Sequence, residues 1–417
     1  MSRKVPEGWA KAVIGDFVEQ FKRLNKDEDL APLSVTKDRG IILQSEKYTK
    51  TIATGGGRNY KILRKGEYAY DPMSLYYGAI GRLTSQDRGV VSPAYITFRL
   101  KAGINPSFFS HYTKTKAFIA DVNRVTTGGN MDGKRKKTDW DSFCSLAINL
   151  PPLSEQRQIA DILSSVDDAI AAMQAVIGQT RTVKQGVLKR LLTRGIGHVR
   201  FKKTEIGEIP ETWEVRSLEE LGQVQAGRQR SPHFTEGTLR PYLRVANVFD
   251  GFVDTSDVLK MKFTESEYER YRLEPGDILL NEGQSLELVG RNAVYEGEPA
   301  DCCFQNTLIR FRSGPDVQDR FAYALMQNLF LTGKFMSIAT RTTSVAHLGV
   351  KRFASLLVPL PPKNEQSMIS ELHDQFTQTQ NSQMQKYKET VSLKAALMSD
   401  LLTGRKRVSA DTLSPAL

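Results

Sequence analysis

The chain has 417 residues, of which 25% are charged and 40% hydrophobic, and carries a formal net charge of +11 at pH 7. That length supports two folded, soluble domains with ordinary cores and something connecting them. No apolar run of membrane-spanning length and no basic-then-apolar leader is present, so a cytoplasmic location is expected. The three cysteines, Cys144, Cys302 and Cys303, offer no Cys-x-x-Cys pair, and the five histidines have no metal-ligand spacing.

The positive charge is uneven. Residues 1 to 152 carry a net +10, whereas residues 205 to 362 carry −5. A basic surface of this kind suits a polyanionic partner. If both regions bind nucleic acid, the second must concentrate its arginines locally.

In chain order, PEGW at Pro6–Trp9 precedes KGEYAY around Gly66, IGR at Ile80–Arg82, the strand-like YITFRL at Tyr95–Leu100 and LAINLPP at Leu146–Pro152. These short apolar runs, broken by Gly, Pro, Asn and Asp, predict a mixed α+β domain. From Ser154 the period changes. Ile159, Leu163, Val166, Ile170, Met173, Ile177, Thr180, Lys184, Val187 and Leu191 alternate steps of four and three, a coiled-coil seam. No proline interrupts Glu155 to Arg194, which predicts a helix roughly 60 Å long.

The chain then repeats itself. PETW at Pro210–Trp213 answers PEGW, PGDILL around Gly276 answers KGEYAY, VGR at Val289–Arg291 answers IGR, PPKNEQ at Pro361–Gln366 answers PPLSEQ at Pro151–Gln156, and LLT at Leu401–Thr403 answers LLT at Leu191–Thr193. Five matches in one order define a duplicated module of domain size. A second, weaker seam runs from Ile369 through His373, Phe376, Gln380, Gln383, Tyr387, Thr390, Lys394 and Leu397 to Leu401.

The expected architecture is α+β: two globular domains, residues 1–152 and 205–362, separated by two long antiparallel coiled-coil helices, residues 153–194 and 363–404. Residues 405–417 are expected to form a flexible tail. The second helix must return toward the start of the chain, so the internal duplication implies pseudo-twofold symmetry, a ring cut at one point.

The chemistry of an enzyme is missing. Neither Gly55-Gly56-Gly57-Arg58 nor Gly133-Lys134-Arg135 carries the Lys-Ser/Thr end of a phosphate-binding loop. There is no glycine-rich cofactor loop with an Asn/Asp-Pro-Pro segment. Asp277 and Glu282 lack the lysine that a metal-dependent nuclease centre requires, and read as solvated or structural. No catalytic residue and no metal site are assigned.

GEYAYDPMSLYYGAIGR with GVVSPAYITFR in the first copy, PGDILL, VGR and TTSVAHLGVKRFASLLVPLPPKNEQ in the second, and the two PP-x-x-EQ helices together resemble the DNA specificity subunit of type I restriction-modification systems. The resemblance covers almost the whole chain. It implies two target recognition domains reading a bipartite double-stranded DNA sequence with a nonspecific gap, and helices that act as the spacer. It further implies no cofactor on this chain, with S-adenosylmethionine and ATP/Mg on partners: two modification (methyltransferase) subunits and restriction/translocase subunits. The alternative is a two-domain scaffold that binds protein or RNA, which the acidic second copy favours; a self-sufficient enzyme is the least supported reading. The first copy departs from TTSVAHL, having TTGGNMDGKRKKTDW, so the two domains are expected to read different half-sites.

Base readout needs Arg, Lys, Asn, Gln, Ser or Thr on loops that can enter a groove, and phosphate contacts need cations. Candidates in the first domain are Arg58, Asn59 and Tyr60 on the glycine run, Arg82, and Asn130, Lys134, Arg135, Lys136 and Lys137, a basic run that also reads as a solvated turn. In the second they are Gln225, Arg228, Gln229, Arg230, Arg244, Arg291 (taken as the counterpart of Arg82), Arg341, Thr342, Thr343, Ser344, His347 and Lys351. Arg82 reads equally as a structural ion pair, and His347 either orients its loop or meets DNA. A second apolar row at steps of seven, Ile162, Ala169, Val176 and Val183, is either a widened seam or a surface for the modification subunits.

Overall fold

A computed structural model describes residues 5–26, 29–47, 59–128, 136–231, 233, 235–342 and 345–408. The chain divides into two compact units: Met1–Gln174 with Gln385–Leu417, and Ala175–Met384. Each unit therefore owns one globular part and one half of each long helix. The expected tail falls largely on residues 409–417, outside the described residues.

Both units are built on the same four-stranded antiparallel sheet. In the first unit its order is Val18–Phe21, Ile96–Leu100, Tyr68–Tyr70, Ile80–Arg82; in the second it is Gly222–Ala226, Leu308–Ser313, Ile278–Asn281, Asn292–Val294. The central strands are short apolar runs buried on both faces: Tyr68, Ala69 and Tyr70 in one, Ile278, Leu279 and Leu280 in the other. The glycine before each, Gly66 and Gly276, takes a positive φ of 90° and 98°, a turn that a Cβ would strain. The acid after it is structural in both copies. Glu67 accepts the Arg64 amide and a bidentate Arg23, while Asp277 accepts the Glu274 amide and a bidentate Arg312.

The strand register corrects one sequence match. Arg82 lies opposite Tyr68, and the residue opposite Ile278 is Val294. The Arg291 carbonyl instead accepts from the Asn281 amide, as the Ala79 carbonyl accepts from the Asp71 amide. Arg291 is thus not the counterpart of Arg82; the three-letter match aligned a strand with the turn before a strand.

A further strand pair closes each unit: Ala10–Val13 with Ala147–Leu150, and Glu214–Ser217 with Leu357–Leu360. The following PP-x-x-EQ segment then fastens the long helix to its domain. Gln156 accepts the Asn105 amide at 2.7 Å and donates to Pro151 O at 2.9 Å; Gln366 accepts the Gln318 amide at 2.9 Å and donates to Pro361 O at 2.9 Å. The neighbouring glutamate takes the indole N–H of the repeated tryptophan of its own copy, Trp9 to Glu155 at 3.1 Å and Trp213 to Glu365 at 2.8 Å. A basic side chain completes each latch. Arg407 binds Glu155 through Nε and Nη2 at 2.7 and 2.9 Å, and His198 Nε2 lies 3.0 Å from both oxygens of Glu365. These two side chains follow Gly404 and Gly195, whose positive φ and close neighbours exclude a side chain: a Cβ would stand 2.4 Å from Pro6 Cγ and 2.5 Å from Glu365 Oε1 respectively.

The long helices are Leu153–Arg194 and Lys363–Leu401. Within the first unit Thr390 contacts Met173 and Lys394 pairs with Asp167; within the second Gln383 contacts Thr180 and Lys184 donates to Thr377 at 2.8 Å. Residue numbers fall on one helix as they rise on the other, so the pairing is antiparallel along the predicted seam. Ile159 and Leu163 are buried with the first core, whereas the second unit buries Lys184 and His373 in its seam. Burial, with the Lys184 charge beside it, pushes the His373 ring down to about 4, so it is held neutral.

Candidate nucleic-acid interface

In the first unit, Thr127 and Lys137 exchange backbone hydrogen bonds of 2.9 and 2.8 Å, which pinches off the basic loop. Lys136 and Lys137 are exposed at its base, and Lys136 sits 4.9 Å from the Tyr76 ring centroid. Asn59 is exposed and Tyr60 half-buried, with its carbonyl accepting the Asn25 amide at 2.8 Å. Arg82 is half-buried; its Nε has no hydrogen-bond partner among the described residues. Arg58, Asn130, Lys134 and Arg135 lie outside the described residues.

In the second unit the arginines separate into two groups. Arg228 is 5% exposed, ion-paired to Glu267 at 2.7 Å and stacked 4.9 Å from the Phe263 centroid. Gln225 is spent on Arg310, which donates to it at 2.7 Å, and on Arg270 O. Arg244 donates to Asp257 at 2.6 Å, and Arg291 packs 4.7 Å from the Phe249 centroid, where burial lowers its pKa against the opposing pull of Asp250. Gln225 and Arg228 thus serve the interior, because a guanidinium of low hydration is readily buried when a carboxylate and a ring await it. Gln229 and Arg230, by contrast, are exposed immediately after it.

A small three-stranded sheet presents the remaining candidates: Gly283–Gln284, Ala346–His347 and Thr340–Arg341. Arg341 and Thr342 are exposed, and Thr342 Oγ1 donates to Val345 O at 2.8 Å to close the tip, whose Thr343 and Ser344 lie outside the described residues. His347 Nδ1 lies 2.9 Å from Glu282 Oε2. Lys351 is exposed. Its neighbour Arg352 is exposed as well, but its guanidinium is engaged: it donates to Ile338 O and His347 O, both at 2.9 Å, and so clamps the backbone beneath the sheet. Sequence reasoning set Glu282 aside as solvated or structural; only the 65-residue hydrogen bond to His347 gives it a place here.

On the helices, Ile162 is half-buried against the first core, while Ala169 is exposed and Val176 and Val183 are 49% and 47% exposed. The row is therefore not uniform: Ile162 packs half-buried against the core, and the two valines are uncovered apolar surface. Among the described residues no group of His, Cys, Asp and Glu could hold a metal, and no helix is long and apolar enough to cross a membrane.

Each of the two units is thus fastened to a long helix, and each has exposed polar or basic side chains beside a bridged loop, Lys136 and Lys137 in the first and Arg341 and Thr342 in the second. The family model for the type I restriction modification DNA specificity domain matches residues 6–179 and 210–392, and the chain belongs to that family. It is similar to the MjaVIII specificity subunit of Methanocaldococcus jannaschii, 28% identical over 97% of this chain and 94% of the relative. To the EcoKI specificity subunit of Escherichia coli it is 24% identical over 88% of this chain and 81% of the relative. Two solved structures share the fold. One, from a study of complex assembly and conformational transition of a type I restriction-modification system, covers 97% of this chain and all of its own, with TM-score 0.60 and 17% identity. The other, the S subunit from M. genitalium, covers 96% and 99%, with TM-score 0.53 and 13% identity. The chain is thus a DNA specificity subunit, not itself catalytic, and the scaffold alternative gains no support.

Proposed function

We propose that this subunit reads a bipartite duplex sequence, one half-site per unit with a nonspecific gap between, and directs two methyltransferase subunits and restriction subunits to it. The duplicated latch carries this reading: each copy fastens its own recognition unit to a long helix through the same Trp, Glu and Gln. Either unit alone reads too few base pairs to be selective in a genome, and joining two raises selectivity through high effective concentration. The helices serve as the spacer, and the uncovered valines as the surface that meets the methyltransferases. S-adenosylmethionine and ATP/Mg belong to those partners, which work beside the host chromosome in the cytoplasm.

Sequencing methylated bases in a host carrying only this subunit and its modification partner tests the proposal. A motif of two short specific segments around a degenerate gap is expected. A single continuous motif would contradict it.

A further inference from the structure

His347 in the second unit and Lys137 in the first occupy one place in the duplicated fold. The next residue makes the same backbone bond in each copy, Leu348 N–H to Glu282 O at 2.8 Å and Thr138 N–H to Pro72 O at 2.9 Å. Each position is also bridged to a threonine on the neighbouring segment, Thr340 for His347 and Thr127 for Lys137. The backbone presents both side chains in the same way. Their chemistry is opposed.

Lys137 is an exposed ammonium and can only donate. His347 is held differently. A carboxylate oxygen accepts, so the 2.9 Å contact is made by a proton on Nδ1, and in that imidazole tautomer Nε2 is the acceptor. Behind the ring stands Gly283, where a Cβ would lie 3.3 Å from His347 Cε1 and Nδ1, so any larger residue would crowd it. Arg352 fixes the backbone by donating to His347 O. The side chain nevertheless stays 44% exposed, and Nε2 has no hydrogen-bond partner among the described residues. The first copy has Pro72 where the second has Glu282, so it could not orient an imidazole.

We propose that His347, oriented by Glu282, accepts a hydrogen bond from an exocyclic amine, adenine N6 or cytosine N4, in the half-site of the second unit, whereas Lys137 at the equivalent place donates to guanine. Glu282 is then a positioning residue, and this pair of positions is one reason the two half-sites differ. The inference rests on the proposed function, that both units read DNA bases.

The test uses the assembled methyltransferase complex on duplexes carrying its own target and the three replacements at each base pair. His347→Ala should lower discrimination roughly tenfold at one base pair of one half-site, the loss of one directed base contact. That base pair carries adenine or cytosine on the contacted strand, and the substitution series says which. Glu282→Gln should weaken discrimination at the same base pair, and in the His347→Ala background should change nothing further, because it acts through the ring. Should either variant fail to assemble, the other still reports on that base pair. Unchanged preference at every base pair, or an equal slowing on all duplexes, would overturn the proposal. Exchange of residues 205–362 for a relative's domain separates the causes. If exchange alters one half-site while His347→Ala alters none, the second unit reads DNA without His347; if exchange alters neither, the proposed function itself fails.

Discussion

Removing the carboxylate of either latch should destabilise the chain, and by unequal amounts. In Glu365→Ala, the indole N–H of the fully buried Trp213 and the amide of Ile196 both lose their acceptor, while His198, 22% exposed at its side chain, turns to water. Each donor left unmade in or at the edge of the core costs about 1–3 kcal/mol, so the sum is about 2–6 kcal/mol. In Glu155→Ala only the Trp9 indole is stranded, because the Arg407 side chain is 43% exposed and hydrates, which gives about 1–3 kcal/mol. Hydrogen exchange read peptide by peptide, with urea titration of the full chain, measures both. The expected result is a larger loss of protection around Trp213 in Glu365→Ala than around Trp9 in Glu155→Ala. An equal or reversed order would show that orphaned buried donors do not dominate the latch.

Acid should weaken the second unit through His373. Its folded value of about 4 lies below the ordinary 6.5, so the unfolded chain takes up the proton first; stability is full above about pH 6.5 and falls as pH drops toward 4, by on the order of 3 kcal/mol. His373→Leu, which copies Leu163 of the first helix, should flatten that part of the pH dependence in urea titrations. Deleting the facing heptads Asp167–Met173 and Lys388–Lys394 together removes about 10 Å of helix and should shorten the preferred gap by about three base pairs in the methylated motif. Val176→Glu with Val183→Glu should leave the melting of the isolated chain within about 0.5 kcal/mol of the parent and abolish co-purification of the methyltransferase.

Much of this molecule was legible in its sequence because it is written twice. The prolines that end a strand, the seam of steps four and three, and the repeated Trp and Glu-Gln are local patterns, and each stands where the fold puts it. What failed were inferences that need long-range contacts. Arg228 reads as a cation at a loop, yet Glu267 and Phe263 bury it. Arg291 was matched to Arg82 by three letters, and only the strand register shows the shift. Glu282 carries no local signal, since its partner lies 65 residues away. The same holds for the basic side chains of the latch: Arg407 and His198 share no residue type, only a place after a glycine.

The most direct test of the account is replacement of residues 205–362 by the corresponding domain of a relative, followed by sequencing of methylated bases in the host. If each unit reads its own half-site, the motif changes on one side only, and the other half-site and the gap length are retained. A motif altered on both sides, or on neither, would contradict it.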